Sequence, residues 1–454
     1  MKNKILLFIT GCITLLLASC LNSDDENTDY TVIKDAQIRS LTLSHDSVSG
    51  LSSVKFTIDQ LNGKIFNLDS LPYGTEIEKV SCKLTYVTGV LGTEVTMEVV
   101  PDSSFYWNGS DSLDFSKPVK FKTYAYDGVT TKTYTAWVNI HQVDPDSMVW
   151  ELYANNPLPE AVEEQKVVVY PLNGTDEFFM YTQTANGYQL YHSPITDAKN
   201  WEALSLTGLP SADLALSQMT LYNGKLYAPS ANGGLYGSED GLSWSAIANA
   251  PSVKYLLGAV AEGTNQAPVL SAIIEAEDNL YFAGMNKEQQ WLQGSIVPER
   301  FPLTGFGAAP YNNMYHEYLL IVGGRNSKDE LTNTAWATMD GQRWALLSDE
   351  KVSYFKPKEG IILTKYDDKM FLAGGIESGG KPSKEIYTST DYGITWSLQD
   401  TLIIFPSAYK ARGFSSVYVD NNNYMLIFGG KTSKDAKSVN EIWRGRINRL
   451  ATKD

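Results

Sequence analysis

Leu319-Leu320-Ile321-Val322-Gly323-Gly324, Met370-Phe371-Leu372-Ala373-Gly374-Gly375 and Met425-Leu426-Ile427-Phe428-Gly429-Gly430 are three copies of one device, an apolar run closed by two glycines. Consecutive apolar residues leave no wet face, so each run is expected to be a strand covered on both sides. The glycines mark a bend where a Cβ would clash. Looser copies at Phe178-Phe179-Met180-Tyr181, Lys225-Leu226-Tyr227-Ala228 and Leu280-Tyr281-Phe282-Ala283-Gly284 bring the number to six. Each is followed by a strand with an aromatic, at Tyr191, Tyr236, Trp291, Trp336, Tyr387 and Trp443, and usually by another led by Trp201, Trp244, Phe301, Trp344 or Trp396. These leaders stand 43, 57, 43 and 52 residues apart, about one four-stranded blade each, so residues 144–454 are expected to form a six-bladed β-propeller.

The last copy lacks its outer strand, because only a short segment follows Trp443. Met148-Val149-Trp150-Glu151-Leu152 reads like Trp201-Glu202-Ala203-Leu204 and Arg343-Trp344-Ala345-Leu346. The strand around Trp150 is therefore expected to complete the last blade and close the ring, which removes two edges open to aggregation.

The Gly-Gly endings resemble kelch repeats. Ser389-Thr390-Asp391-Tyr392-Gly393-Ile394-Thr395-Trp396 resembles the Asp-box of sialidase-like propellers at every defined position, and Ser238 to Trp244 and Thr338 to Trp344 are copies one residue shorter. This resemblance implies a fold more than a function. The Asp-box carboxylate caps the turn between the third and fourth strands, away from the ligand face, so Asp240, Asp340 and Asp391 are expected to be structural.

Upstream, residues 35–143 alternate with period two, as in Val80-Ser81-Cys82-Lys83-Leu84-Thr85-Tyr86 and Val119-Lys120-Phe121-Lys122-Thr123-Tyr124. One wet face and one core face point to a β-sandwich. Pro118-Val119-Lys120-Phe121, Tyr126-Asp127-Gly128 and the run from Tyr134 to Ile140 resemble the Ig-like spacer modules of Bacteroidota surface lipoproteins. The expected fold is thus all-β, an Ig-like β-sandwich followed by the propeller.

Residues 1–19 have the proportions of a signal peptide, with Lys2 and Lys4 ahead of an apolar stretch from Ile5 to Leu17. Leu17-Ala18-Ser19-Cys20 resembles a bacterial lipobox, which implies a membrane anchor through lipidation of Cys20. Residues 20–34 begin as an acidic tether, and Ser23-Asp24-Asp25-Glu26 resembles the export signal that sends lipoproteins to the outer face of the outer membrane. The expected address is the cell surface. Of three cysteines only Cys82 remains past the anchor, so no disulfide is expected within the mature chain.

With 52 acidic and 37 basic residues, a net charge of −15 excludes a phosphate-backbone footprint, so no nucleic acid is expected. The four histidines are scattered, and the acidic turns Glu277-Asp278, Asp367-Asp368 and Asp420 to Asn423 are each placed between the first and second strands of a blade. No metal or cofactor is expected, and the chain is expected to be a monomer. Propeller ligands sit on loops between strands two and three and on those leading into the next blade. The first set includes Asn286, Lys287, Glu288, Arg325, Asp329, Lys431 and Lys434; the second includes Tyr311, Asn312, Tyr354, Phe355, Tyr409 and Arg412. Arg325, Tyr354 and Arg412 are the candidate ligand contacts, because aromatics beside charges suit sugars. A sialidase needs three arginines on its substrate carboxylate, and here none stands between Arg39 and Arg300. No catalytic residue is assigned. The reading is a non-catalytic surface module that binds a glycan or protein, with a carbohydrate-active enzyme as the alternative.

Overall fold

The computed structural model describes residues 32–98, 104–210, 214–349, 351 and 355–451. It is all-β, and it falls into two units that meet in sequence between Gln142 and Val143.

In the first unit, strands Ile38–Ser44 and Ser81–Tyr86 pair antiparallel in a small sheet. A six-stranded sheet runs in the order Phe56–Asp59, Lys64–Asn67, Thr131–Ala136, Val119–Tyr124, Gly92–Met97, Ser104–Tyr106, with one parallel pairing, between Lys64–Asn67 and Thr131–Ala136. Alternation sends Leu41, Leu43 and Cys82 from the small sheet and Ile65, Val95, Phe121 and Tyr134 from the large one into a single core. Tyr134 ties the layers, accepting from the Ile38 amide at 3.1 Å. Burial pushes the Cys82 thiol up to about 12, so it fills space as a small apolar group.

The second unit carries six four-stranded sheets around a common axis. Their inner strands are Glu164–Leu172, Thr220–Tyr222, Ser252–Val260, Gly307–Asn312, Ile362–Tyr366 and Ser416–Val419, which define blades 1 to 6. The paired glycines end the second strands of blades 4 to 6 and sit where neighbouring blades touch. At Gly374 (φ 69°) an added Cβ would stand 2.6 Å from the Arg412 carbonyl oxygen of blade 6, and at Gly375 (φ 100°) 3.0 Å from that of Glu359 in its own blade. Both the left-handed backbone and the contact require glycine there. The Asp-boxes act as turn caps. Asp391 accepts from the Thr395 amide at 2.9 Å and from the Ser389 hydroxyl at 2.7 Å, and Asp240 and Asp340 each accept from two amides of their own turns.

Blade 3 departs from the expected register. Its second strand is Val269–Ala276, and the run Leu280–Gly284 belongs to the third strand, Asn279–Met285. Trp291 therefore opens the outer strand Trp291–Ile296, and Phe301 lies outside the strands, packed at 4.8 Å on Phe282. The connection between its first two strands, residues 261–268, replaces the tight turn used elsewhere and hides the repeat. Glu277-Asp278 accordingly turns between the second and third strands, with φ of 49° and 58°. Asp367-Asp368 and Asp420 to Asn423 do join first and second strands.

The ring closes through Met148–Asn155, which is the fourth strand of blade 6, from Met148 opposite Ile447 to Asn155 opposite Glu441. The Trp150 ring lies so close over Gly445 that a Cβ there would meet Trp150 Cε3 at 2.3 Å, and it packs on Phe405 at 4.7 Å. Arg444 stacks between Tyr153 at 4.1 Å and Tyr424 at 4.3 Å and donates to Glu151 at 2.7 Å, fastening the added strand from outside. A chain beginning at Asn156 loses this strand and the Trp150 packing, a truncation of about 3–5 kcal/mol for a well-packed Trp, and exposes an edge. It is expected to aggregate or melt below a chain beginning at Asp144, and equal melting curves by circular dichroism would contradict closure by Trp150.

Candidate functional site

Six inner strands cannot fill the axis with side chains, and the space they leave is a channel of about 1030 Å³. Consecutive inner-strand residues line it, among them Val167-Val168-Val169, Ala259 and Ala308-Ala309-Pro310, and most of this wall is apolar. At one mouth, the starts of inner strands and the loops after second strands bring together Glu164, Lys166, Ser217, Arg325, Asp329, Glu359, Lys431 and Lys434. Gln218 braces this rim across three blades, with Oε1 accepting from the Leu256 amide and Nε2 donating to the Leu303 carbonyl, both at 3.1 Å.

Arg325 ends the second strand of blade 4 and reaches over the rim. Its guanidinium donates to Glu359 Oε1 and to the Asp329 carbonyl, each at 2.7 Å, and its Nε is buried with no hydrogen-bond partner. The Glu359 bond holds the Arg325 pKa above its ordinary value. A planar, permanently charged group so fixed is suited to a bidentate acceptor. On the blade 1 side, burial raises the Glu164 carboxyl against the opposing pull of Lys431, and burial lowers the Lys166 ammonium against the pull of Glu164.

The three candidate contacts end in three different places. Arg325 is on the rim. Tyr354 lies outside the described residues, as does Cys20. Arg412 requires a correction, because its side chain is fully buried and satisfied. It bonds Glu441 Oε2 at 2.6 Å, the Lys410 carbonyl at 2.8 Å and the Gly429 carbonyl at 3.3 Å, and lies 4.4 Å over the Tyr409 ring. Burial works to raise the Glu441 carboxyl, but its bonds with Arg412 and Trp443 outweigh it and hold the group below its ordinary range. Lys358 is the same feature one blade earlier, buried beside Glu385 at 3.3 Å and over Tyr387 at 5.4 Å. Both cations clamp the segment leading into an inner strand to the carboxylate that precedes the aromatic third strand.

Other expected loop positions also move. Asn286, Lys287 and Glu288 lie between the third and outer strands of blade 3, a result of its shifted register, and Tyr311 and Asn312 belong to the inner strand of blade 4. Phe355 and Tyr409 are buried in blade cores. Glu164, Lys166 and Glu359 were not singled out by sequence reasoning. The signal was Glu163-Glu164-Gln165-Lys166 just ahead of Val167-Val168-Val169, polar residues opening a strand that must line the axis. Among the described residues, no group of three or more His, Cys, Asp and Glu side chains is placed to hold a metal ion.

Fold and channel together define a six-bladed β-propeller preceded by a separate β unit. Residues 144–454 match the DUF6242 beta propeller domain and residues 23–138 the DUF6242 N-terminal domain, a domain of unknown function, so the chain belongs to this family. No curated protein matches it. Among solved structures, one described as "Structure of YjhT" is similar over 64% of this chain and 96% of that one, at 12% identity and a TM-score of 0.45.

The two arginines are separable by experiment. Arg412→Ala leaves the mostly covered Glu441 with only Lys410 Nζ, at 3.7 Å, as a counter-charge and is expected to cost about 3 kcal/mol in urea unfolding, the low end for breaking a buried pair from one side. Asp391→Ala removes turn caps only and is expected to cost about 1–2 kcal/mol, in the range of a lost capping residue. An Arg412→Ala protein as stable as the parent would show that the clamp does not hold the blade.

Proposed function

We propose that this chain is a lipid-anchored protein of the outer-membrane surface, whose propeller binds a small glycan at the channel mouth without turning it over. The N-terminal unit is read as an Ig-like spacer that carries the propeller away from the membrane. The observation that carries the reading is the channel itself, an apolar-walled space of about 1030 Å³ with Arg325 and other charged groups gathered at one mouth. That volume suits a ligand of a few sugar rings, and such sites typically combine apolar walls with a few placed polar groups. A protein partner would instead cover about 800 Å² on each side across an outer face, whereas the polar groups here gather at the mouth of a channel, so the glycan is favoured over a protein ligand. The Leu17-Ala18-Ser19-Cys20 lipobox and the acidic run behind it support the address.

Two measurements test this. Cys20→Ala is expected to move the protein from the membrane fraction to the soluble fraction, and unchanged membrane retention would refute the anchor. On a glycan array followed by calorimetry, a saccharide is expected to bind, and Arg325→Ala should weaken it by about 1–3 kcal/mol, the cost of losing a charged hydrogen bond. An affinity indifferent to Arg325→Ala would remove the mouth from the site. Hydrolysis of the bound saccharide would move the protein to the carbohydrate-active enzyme reading.

A further inference from the structure

Glu164 and Lys166 stand two apart on the inner strand of blade 1, so strand alternation sends both side chains to one side, while Gln165 turns the other way toward Gly429. All three line the channel. The Lys166 Nζ donates to the Ser217 carbonyl at 3.3 Å, a long bond to a neutral acceptor. Among the described residues, no carboxylate oxygen lies within ion-pair distance of it. Lys358 is a useful contrast, since it is fully buried, has Glu385 and Glu377 at 3.3 and 3.8 Å, and sits outside the channel lining. The Lys358 amine is locked in a buried clamp. The Lys166 amine, only partly covered, is held at the cavity by a single weak bond.

We propose that Lys166 is a nucleophilic amine that captures a small aldehyde or ketone in the channel as an imine, with Glu164 as its proton donor. The open-chain form of a reducing sugar belongs to this ligand class. The inference rests on the reading of the channel as a ligand site and deepens it.

In the reaction, the Nζ lone pair attacks the carbonyl carbon, and an amine proton passes to the oxygen to give a neutral carbinolamine. Glu164 then protonates the hydroxyl, the C–O bond breaks, and water leaves as the C=N bond forms. The product is an iminium ion beside the Glu164 carboxylate, and no oxidant or reductant is needed. Burial favours the starting forms of both partners, since it lowers the Lys166 ammonium pKa and raises the Glu164 carboxyl pKa. The other charged groups at this end of the channel are Lys431 and Lys434 from blade 6 and Arg325, Asp329 and Glu359 from blades 4 and 5. Lys431 opposes the raised Glu164 pKa without overturning it.

The test uses the full chain in detergent with glycolaldehyde and sodium cyanoborohydride at mildly acidic pH, followed by peptide mass mapping. Lys166 is expected to be reductively alkylated several-fold faster than the exposed Lys384 and Lys410, because a lowered ammonium pKa leaves a larger fraction of free amine at a given pH. Glu164→Gln should slow labelling of Lys166 and leave Lys384 unchanged. Labelling of Lys166 no faster than of Lys384, or a Lys166 rate indifferent to Glu164→Gln, overturns the proposal. Saccharide binding that depends on Arg325 without selective trapping at Lys166 would overturn this inference alone. Selective trapping without saccharide binding would support it and count against the glycan reading.

Discussion

The propeller depends on close approach between neighbouring blades, made possible by the bare backbone of the paired glycines. In blades 4, 5 and 6 the first glycine of each pair meets the next blade and the second meets the lead-in segment of its own. Added Cβ atoms would stand 2.3 Å from Ile361 Cδ1 at Gly323, 2.6 Å from the Arg412 oxygen at Gly374 and 2.0 Å from Gln165 Nε2 at Gly429. A methyl group at Gly323 or Gly374 would meet the backbone of the next blade and push the two apart, whereas at Gly429 it would displace the Gln165 side chain. Close-packed interiors do not absorb such shifts locally, so the displacement would pass to the channel wall.

Two ion pairs with buried cations serve the same joints. Arg412 with Glu441 and Lys358 with Glu385 lie beside the glycine contacts, with the Arg412 carbonyl and side chain touching Gly374 and Gly430 and the Lys358 stem touching Gly375. Desolvating such pairs costs enough that they add little net stability over an apolar filling, but breaking one from a single side costs several kcal/mol. Their use here is positional: each fixes the segment that enters an inner strand. A long cationic side chain in the right stretch of sequence is therefore a poor guide to ligand contact in this fold.

Much of the architecture was legible because its causes are local in sequence. Consecutive apolar residues, glycine pairs and Asp-box spacing each report a short-range constraint, and the similarity of the segments around Trp150 and Trp344 pointed to a pairing across almost 300 residues. Blade 3 was misread because its first connection is long, so Leu280–Gly284 imitates a second strand while occupying the third. The site was less legible. Arg325 follows Gly323-Gly324 at the end of a second strand and Arg412 precedes Gly413 in a lead-in segment, two sets of positions both expected to face a ligand, yet one ends on the rim and the other inside a clamp. The difference lies in which carboxylate each meets. Glu359 projects at the channel mouth, whereas Glu441 is held beneath by Trp443, and that is a tertiary fact with no short-range signature.

A sixfold repeat makes six similar inner strands, and a site arises where the repeat is broken. The lead-in segments of blades 4 to 6 run Thr304-Gly305-Phe306, Lys358-Glu359-Gly360 and Arg412-Gly413-Phe414, each with a glycine, and Gly305 and Gly360 line the channel. Blade 1 has Glu164-Gln165-Lys166 instead and begins a nine-residue inner strand. The Gly429 contact that closes the ring falls on Gln165, between the two ionisable residues. Closure and site geometry are thereby coupled: the joint that seats blade 6 against blade 1 also fixes the strand carrying Glu164 and Lys166. The strand around Trp150 completes blade 6, so the N-terminal end of the propeller helps to position the channel mouth without touching it.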